Sequence, residues 1–317
     1  MPKYTFLLPA YKAKFLSNTL LSIQNQTYED FTVLISNDCS PEAVRDVCNP
    51  FLFDYRFLYR QNKTNIGGEH LVEHWNLLVD LCDTEYFILA SDDDLYAPTF
   101  LEEIDRLITL YPETCLFRAR VQRIDDANEV LEEESLYEEH ESQLRFLYGY
   151  LCTNHIRCIS NYVFRTETLK RIGKFVDFPY ACFSDTATVF LMSENGVCHT
   201  SKSLFQFRWS GENLSSVTNS IVSKGKCQAT LKYFQWMKNF MSGIEYEKSK
   251  LNNNIFHSIE HHWKSHALWH AKTSFRALSF KEFWNACHFF KTEKMLPRKL
   301  MQMEFFTDYI NQRRKHE

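Results

Sequence analysis

The amino-acid sequence predicts an α/β protein with a mostly parallel sheet and helices on both faces, followed by a helical C-terminal region. Over the first 110 residues, short β-prone runs alternate with segments whose apolar residues recur at helical spacing. Repeated βα units of this kind imply parallel strands. From about Ser220 the pattern is helical to the end. We therefore expect two domains, residues 1–218 (halves 1–115 and 116–218) and 219–317.

The elements of the first half are predicted from apolar periodicity and turn formers. Pro9 ends the first apolar run, and the turn-forming cluster 37–41 ends the second. Helical spacing of apolar residues begins near Leu16, Gly67 and Phe100. The predicted strands cover residues 4–8, 31–36, 56–59 and 86–90. Ligands of such sheets bind outside the carboxyl ends of the strands.

The second half is less regular. Residues 116–124, 159–164 and 204–209 are predicted strands, and residues 183–195 are a predicted helix that stops at Gly196. Residues 125–128 have the composition of a turn. The acid-rich stretch 132–141 is expected to be a solvated loop or helix face.

Charge is distributed unevenly between the two parts of the chain. From residue 220 onward there are 17 Lys and Arg against 8 Asp and Glu, whereas the preceding part has 19 against 32. An acidic first part suits a metal site and argues against nucleic-acid binding, and a basic last part suits an anionic surface. A solvated basic terminus is the alternative for Arg313–His316.

Cysteine usage and hydropathy indicate a cytoplasmic protein. The ten cysteines are scattered without a C-x-x-C pair, and several lie in apolar runs. The N-terminus lacks the apolar stretch of a signal peptide, and no run approaches 18 consecutive apolar residues. We expect a protein of the reducing cytoplasm, with peripheral contact at the inner membrane face through the basic region and its aromatic residues (Phe289, Phe290, Phe305, Phe306).

The sharpest chemical feature is the triplet Asp92-Asp93-Asp94, directly after the strand 86–90. Adjacent carboxylates repel one another unless a cation or solvent compensates. At a strand's carboxyl end they are well placed to hold Mg²⁺ or Mn²⁺ together with substrate phosphates. A solvated turn with a helix cap is the alternative.

Five segments in order resemble family 2 glycosyltransferases. The triplet, followed by an apolar pair and Pro98, resembles the family's D-x-D region. The other four segments, in chain order, are Leu7–Tyr11, Thr19–Phe31, Val33–Pro41, and Asn65–Gly68 with Asn76. Ser91 replaces the first Asp that many members have, which leaves open which of the three aspartates touches the metal. The resemblance implies a GT-A fold, an inverting transfer from a nucleotide sugar, Mn²⁺ or Mg²⁺ as cofactor, and a bacterial surface-polysaccharide setting.

The resemblance also implies which residues bind the nucleotide. Asp38 is the best candidate, although an Asx-type turn is the alternative for Asp38–Pro41. The implied nucleotide-binding residues are Pro9, Tyr11, Asp38, Asn65, Gly67, Asn76, Asp92 and Arg208. Arg208 is similar to the first residue of an R-x-S…S segment, in which a basic residue meets the diphosphate, and an ordinary surface Arg is the alternative.

Asp185 is the candidate catalytic base. It opens a helix after an aromatic loop, where the family has an E-D pair, and Ser184 stands in place of the Glu. An acceptor hydroxyl must lose a proton to such a group. The alternative is a carboxylate that only stabilises the helix dipole.

Other readings remain open. The histidines at 262, 266 and 270 share a helical face, but without H-E-x-x-H a packed or solvated helix is favoured over a metal site. A sugar-phosphate nucleotidyltransferase would need a glycine-rich loop where Pro9-Ala10-Tyr11 stands. An inactive glycan-binding homologue is the non-enzymatic alternative, because Ser91 and Ser184 depart from the family. The expected partners are a nucleotide-sugar donor and a glycan or lipid-linked saccharide acceptor.

Overall fold

The fold is taken from a computed structural model, which describes residues 2–153, 155–209, 220–274 and 277–292. In chain order its strands are β1 (Tyr4–Ala10), β2 (Phe31–Asn37), β3 (Phe57–Gln61), β4 (Tyr86–Leu89), β5 (Leu95–Tyr96), β6 (Leu116–Ile124), β7 (Val130–Glu133), β8 (His140–Glu141), β9 (Tyr162–Arg165) and β10 (Val197–Arg208). The α-helices are α1 (Leu16–Gln24), α2 (Val44–Cys48), α3 (Gly67–Asp80), α4 (Phe100–Leu110), α5 (Gln143–Cys152), α6 (Thr166–Arg171), α7 (Ser184–Met192), α8 (Ser220–Ser242), α9 (Lys250–Ser274) and α10 (Phe280–Thr292).

These strands join in one mixed sheet. Its order is β3-β2-β1-β4-β9-β6-β10-β5, with β7 paired to β6 and β8 to β10. The strands β3, β2, β1 and β4 are parallel, as the βα units predict. In the second half β9 runs antiparallel to both β4 and β6, while β10 is parallel to β6. The expectation of a mostly parallel sheet is wrong there, because the chain leaves β6 through the β6–β7 hairpin and not through a helical crossover.

Helices cover both faces of the first half, as expected. Alternation along β1 sends Phe6 to one face, where it joins a core with Leu20 of α1 and Phe100 of α4. On the opposite face, the ring of Phe87 contacts that of Phe175, which in turn packs against Trp75 of α3. Burial of such side chains contributes about 1.5–3 kcal/mol each, so both layers fix the sheet edge that carries the loops.

The acid-rich stretch 132–141 differs from the expectation of a solvated loop or helix face. It contains the end of β7 and all of β8, and Glu134 between them is buried. The carboxylate of Glu134 lies 2.7 Å from the guanidinium of Arg118, and both side chains are fully buried. A buried Arg requires a partner of opposite charge, and this requirement draws the acidic segment inward.

The predicted boundaries also differ in places. The strand β10 begins at Val197, seven residues before the predicted strand, and β1 passes through Pro9 in register with Ser36. The helices α2, α5 and α6 were not predicted, whereas β6 has the predicted bounds. Short helices have too few turns for their apolar spacing to stand out.

The chain divides into two units. Unit 1 comprises Met1–Asp177 and Ser184–Gly211, and unit 2 comprises Phe178–Phe183 and Glu212–Glu317. The C-terminal helices α8, α9 and α10 belong to unit 2, in agreement with the helical pattern. Within it, the ring of Trp263 packs at 4.8 Å from that of Phe234.

Some sequence-based expectations fall outside the described residues. The predicted domain boundary between 218 and 219 lies in the stretch 210–219, and the basic terminus Arg313–His316, with Phe305 and Phe306, lies beyond residue 292. Of the helices that are described, none combines the length and the apolar character needed to cross a membrane.

Candidate functional site

The loops after β1, β2 and β4 meet at one edge of the sheet. Because the three strands are parallel neighbours, their carboxyl ends lie side by side. The main-chain N–H of Tyr11 donates to Asp92 Oδ2 at 2.8 Å, and the hydroxyl of Ser40 donates to the carbonyl oxygen of Tyr11 at 2.5 Å. The structure therefore brings Tyr11, the Asp38 loop and the aspartate triplet together.

Asp38 lies at the centre of a closed hydrogen-bond network, which we call the Asp38 knot (Asp38, Asn62, Asn65, Ile66, Gly67 and His74). Its carboxylate accepts hydrogen bonds from Asn62 Nδ2 at 2.7 Å and from the main-chain N–H of Gly67 at 2.6 Å. Asn65 Nδ2 and the N–H of Ile66 also donate to it. Asp38 is only 3% exposed, so the knot fixes the start of α3, and a contact between Asp38 and a nucleotide stays a prediction.

The two other predicted residues of this segment support the knot. Gly67 has no side chain, and a Cβ there would lie 3.0 Å from Asp38 Oδ2, so glycine permits the close approach. Asn65 is exposed, and its Oδ1 accepts the N–H of Gly68 at the first turn of α3. His74 lies buried against Asp38 and Ser36, and burial lowers its pKa below the ordinary value.

The loop Ser91–Asp94, which we call the acid loop, follows β4. Asp92 is half-buried, and its Oδ2 accepts the main-chain N–H groups of Tyr11 and Lys12 at 2.8 and 2.7 Å. Asp94 is buried, and its carboxylate accepts hydrogen bonds from the Ser91 hydroxyl and from the main-chain N–H of Arg208. Thr19 of α1 donates to the carbonyl oxygen of Asp94 at 2.8 Å. The carboxylates of Asp92 and Asp94 are therefore held by protein donors.

Burial raises the pKa of all three aspartates of the acid loop. Burial, followed by the charge of Asp93, raises the pKa of Asp92 to about 6. The same two causes raise the pKa of Asp94 well above its ordinary value. Burial also raises the pKa of Asp93, while the charges of Lys12 and Arg208 oppose this. A cation at this loop would relieve the repulsion.

The carboxylate oxygens of the acid loop suit a metal ion that binds together with phosphate groups. Within the described ranges, no three His, Cys, Asp or Glu side chains converge in a way that could hold a metal ion. Asp93 is half-buried, and its carboxylate also has hydrogen-bond donors in the Ser91 hydroxyl and in its own main-chain N–H. Mg²⁺ commonly binds through one or two carboxylates, with water and substrate phosphates completing its shell. The acid loop suits that mode, and which of the three aspartates would touch the metal stays open.

Arg208 is buried inside the loops and does not face an open site. Its Nε donates to the carbonyl oxygen of Asp93, its Nη1 to that of Asp125 and its Nη2 to Asn128 Oδ1, at 2.6–2.9 Å. The guanidinium also lies 4.1 Å from the ring centre of Phe15. The prediction that Arg208 meets the diphosphate is not supported, because its donors hold the acid loop and the β6–β7 turn. The rest of that motif, residues 210–215, lies outside the described residues.

Asn76 is likewise a structural residue. Its side chain exchanges two hydrogen bonds with the main chain of Phe175, at 3.3 and 3.0 Å. The expectation that it binds the nucleotide is not supported. Of the predicted nucleotide-binding residues, Tyr11 is 42% exposed and Pro9 is half-buried at the same edge.

Asp185 lies in the first turn of α7 and is half-buried. Its Oδ1 accepts the N–H of Thr186 at 2.7 Å, and the hydroxyl of Thr186 pairs with that of Tyr150 at 2.8 Å. Burial raises the pKa of Asp185, and the charge of Arg157 opposes the shift. A shared cleft for Asp185 and Asp94 stays a prediction.

Several residues that hold the site are not predicted from the sequence. Thr19, Asn62, His74 and Phe15 support the loops from other elements. Of the tail histidines, His266 and His270 bring their Nε2 atoms within 3.2 Å of each other, and the ring of His270 packs edge-on against Phe183.

Two solved structures illustrate the likeness of this fold to known proteins. A fragment of S. aureus TarS (residues 1–349), solved in complex with UDP-GlcNAc, has a TM-score of 0.65 at 15% identity, over 98% of this chain and 89% of that one. The mannosyltransferase PcManGT from Pyrobaculum calidifontis, solved with GDP-Man and Mn²⁺, has a TM-score of 0.55 at 15% identity, over 99% and 86%. At these identities the likeness shows the GT-A fold alone.

The sequence itself decides the family. Residues 5–173 match the family model described as glycosyl transferase family 2. This segment is more than half of the 317 residues and contains the β1 loop, the Asp38 knot and the acid loop. The chain therefore belongs to glycosyl transferase family 2.

Proposed function

We propose that the protein moves a sugar, a hexose by our expectation, from a nucleotide-sugar donor to a hydroxyl of a glycan or lipid-linked saccharide. The observation that carries this proposal is the acid loop, which crowds three carboxylates beside the β1 loop and engages Asp92 and Asp94 with protein donors. Family membership supports it, and so do the UDP-GlcNAc and the GDP-Man with Mn²⁺ bound by the structural relatives.

The metal ion is assigned to the acid loop. Asp93 would hold Mn²⁺ or Mg²⁺, with Asp92 and Asp94 as further candidates. When bound, the ion would neutralise the leaving diphosphate as a Lewis acid. The base and ribose would lie against Tyr11, whose ring is half-exposed and whose main-chain N–H donates to Asp92, and against Pro9 two residues earlier. Asn65, also exposed, is a further candidate.

The reaction is a single in-line displacement that inverts the anomeric carbon. The acceptor oxygen forms a bond to that carbon, and the bond to the diphosphate oxygen breaks, so the electron pair leaves with the nucleoside diphosphate. The acceptor's proton passes to the Asp185 carboxylate. Burial raises the pKa of Asp185 and so brings its basicity closer to neutral pH, where a general base is most effective.

Two alternative functions are less well supported than sugar transfer. A nucleotidyltransferase would admit a triphosphate through a glycine-rich loop, whereas the loop after β1 carries the bulky Tyr11 and is tied to Asp92. A binding-only homologue gains support from Ser91 and Ser184. However, Ser91 donates to Asp94 and so stabilises the charged loop that a metal would need. Turnover of a nucleotide sugar separates an enzyme from a binding protein.

Contact with an anionic membrane surface is proposed for unit 2. On α10 the exposed rings of Phe280 and Trp284 contact each other, and Lys281 and Lys291 are exposed on the same helix. We expect binding to liposomes only when they contain anionic lipid. Lys281→Ala should weaken it about fivefold, since one such charge contributes about 1 kcal/mol. Equal binding to neutral liposomes, or none to either kind, would contradict this assignment.

The proposed donor is tested by a thermal-denaturation screen. UDP-, GDP-, CMP- and dTDP-sugars are added with Mn²⁺ or with EDTA, and release of the nucleoside diphosphate is then followed for those that bind. A donor at about 100 times its dissociation constant should add about 2.7 kcal/mol to stability. A screen in which no nucleotide sugar stabilises the protein would reject the proposal.

A further inference from the structure

The segment Phe178–Phe183, which precedes α7, has an unusual backbone. Tyr180, Ala181 and Phe183 have φ angles of 57°, 53° and 71°. Residues with a Cβ rarely occupy this region, and for a bulky ring it is a clear outlier. Such conformations persist only where the surroundings enforce them. We call this segment the strained turn.

Side chains of unit 2 hold the strained turn in this backbone conformation. The ring of Phe183 stacks on Tyr233 of α8 with centroids 4.3 Å apart and planes within 7°. The ring of His270 from α9 meets Phe183 edge-on at 4.9 Å. Phe178 packs edge-on against Tyr233 and Trp236. Both ends of the strained turn are therefore held by aromatic contacts with two helices.

Gly225 makes room for the middle of the turn. A Cβ at this position would lie 2.1 Å from Cε2 and 2.3 Å from Cδ2 of Tyr180, well inside van der Waals contact. Glycine is unfavourable inside a helix such as α8. Its presence five residues after the start of α8 is therefore explained by the ring that packs on it.

The strained turn continues directly into α7. Phe183 belongs to unit 2, Ser184 is the first residue of α7, and Asp185 is the second. Two peptide bonds separate Phe183 from the proposed base, so a displacement of the turn is transmitted to the first turn of α7. Asp185 therefore depends on residues far from it in sequence.

We propose that unit 2 positions the base Asp185 by holding the strained turn, and that Gly225 is the positioning residue on which this depends. The inference rests on the proposed function, because it gives Asp185 the role of base. Ala at position 225 must displace Tyr180 by more than 1 Å to restore ordinary contact. A misplacement of about 1 Å in a reacting group can cost about 10²-fold in rate.

The test is Gly225→Ala, assayed by thermal denaturation with UDP-GlcNAc and GDP-Man and by hydrolysis of the donor that binds, with water in place of the acceptor. We expect kcat to fall about 10²-fold, with the donor's dissociation constant unchanged. Gly243→Ala is the matched control, because its Cβ would meet only the Phe240 carbonyl oxygen at 3.6 Å. Wild-type kcat in Gly225→Ala, or a loss of donor affinity as large as the loss of kcat, would overturn the inference.

Tyr180→Ala provides the second variant. It removes the ring that meets Gly225, and we expect it to lower kcat about tenfold with donor affinity unchanged. In its background Gly225→Ala should cost less than about threefold, because the two residues are coupled. Should Gly225→Ala fail to fold, an unchanged kcat in Tyr180→Ala alone would still overturn the inference.

Asp185→Asn separates this inference from the proposed function. If Asp185→Asn hydrolyses the donor normally, the role of the base is wrong. If it is inactive while Gly225→Ala and Tyr180→Ala behave like the wild type, only the positioning inference fails.

Discussion

The Asp38 knot and the acid loop lie at neighbouring strand ends, yet the protein treats their carboxylates differently. Asp38 receives hydrogen bonds from two asparagine side chains and two main-chain N–H groups. The acid loop places three carboxylates in sequence, and burial and mutual repulsion raise the pKa of Asp92 and Asp94. Asp38 is buried with four protein donors, whereas burial and like charge oppose ionisation of Asp92 and Asp94 in spite of their protein donors.

The comparison leads to the hypothesis that the number of internal donors separates a structural carboxylate from one that binds a ligand. In the sequence, Asp38 and the aspartate triplet both follow a predicted strand. The neighbouring residues do not show which of them has its hydrogen bonds satisfied inside the protein. In the fold, Asp38 organises the start of α3, and Asp93 stays half-buried at the edge where ligands of such sheets bind.

The largest expected effect is the loss of catalytic rate on replacing Asp185. The pKa of Asp185 is raised, as are those of the acid-loop aspartates. Asp185→Asn keeps the size of the side chain and removes its basicity. We expect sugar transfer or donor hydrolysis to fall by about 10²–10⁴-fold, the usual range for loss of acid–base help. Nucleotide-sugar affinity should stay nearly constant. A crystal structure in which Asp185 points away from the Asp94 cleft would refute this role as clearly as normal turnover would.

Removing Asp38 should cause the largest loss of stability. Asp38→Ala leaves the donors of Asn62, Ile66 and Gly67 without their acceptor, and buried donors left unpaired cost about 1–3 kcal/mol each. We expect the free energy of unfolding in urea to fall by about 2–4 kcal/mol. Asp93→Ala is the matched control, with an expected change within about 0.5 kcal/mol. Equal losses in the two variants would erase the distinction between the two sites.

Mild acid should destabilise the protein through buried histidines, one of them in the knot. Burial lowers the pKa of His74, His155 and His199 below 6.5 in the folded protein. The unfolded chain therefore binds protons at these histidines that the folded protein excludes, so their contribution to stability is full above pH 6.5 and decreases as pH falls below it. The raised pKa values of Asp92, Asp94 and Asp185 act in the opposite direction, so the test compares two proteins. His155→Phe should lose less stability than the wild type between pH 6.5 and 5, and an identical pH dependence in the two proteins would contradict the assignment.

The sequence predicts the frame of the site better than its details. Apolar periodicity and turn formers place the acid loop after β4 and the Asp38 loop after β2, because both signals are local. The roles of Arg208 and Asn76 are not predictable in this way. Their hydrogen-bond partners, Asn128 and Phe175, lie 80 and 99 residues away in sequence.

The same limit applies to buried charge. Glu134 reads as one acid among several in 132–141, and only the fold shows that Arg118 draws it into the interior. The antiparallel insertion of β9 is also invisible to local pattern, since a strand's apolar run carries no sign of its direction. Order and composition thus give the family and the loop positions, while long-range pairing decides which side chains remain available to a ligand.

The most direct test of the central claim, that the acid loop binds its ion only together with a diphosphate, is the melting temperature of the wild type and of Asp93→Asn. Each protein is measured with Mn²⁺ or EDTA, in the presence and absence of UDP or GDP. We expect Mn²⁺ to add to the stability of the wild type only when the nucleotide is present, and to add nothing in Asp93→Asn. An equal Mn²⁺ increment without nucleotide, or an unchanged increment in Asp93→Asn, would contradict the account.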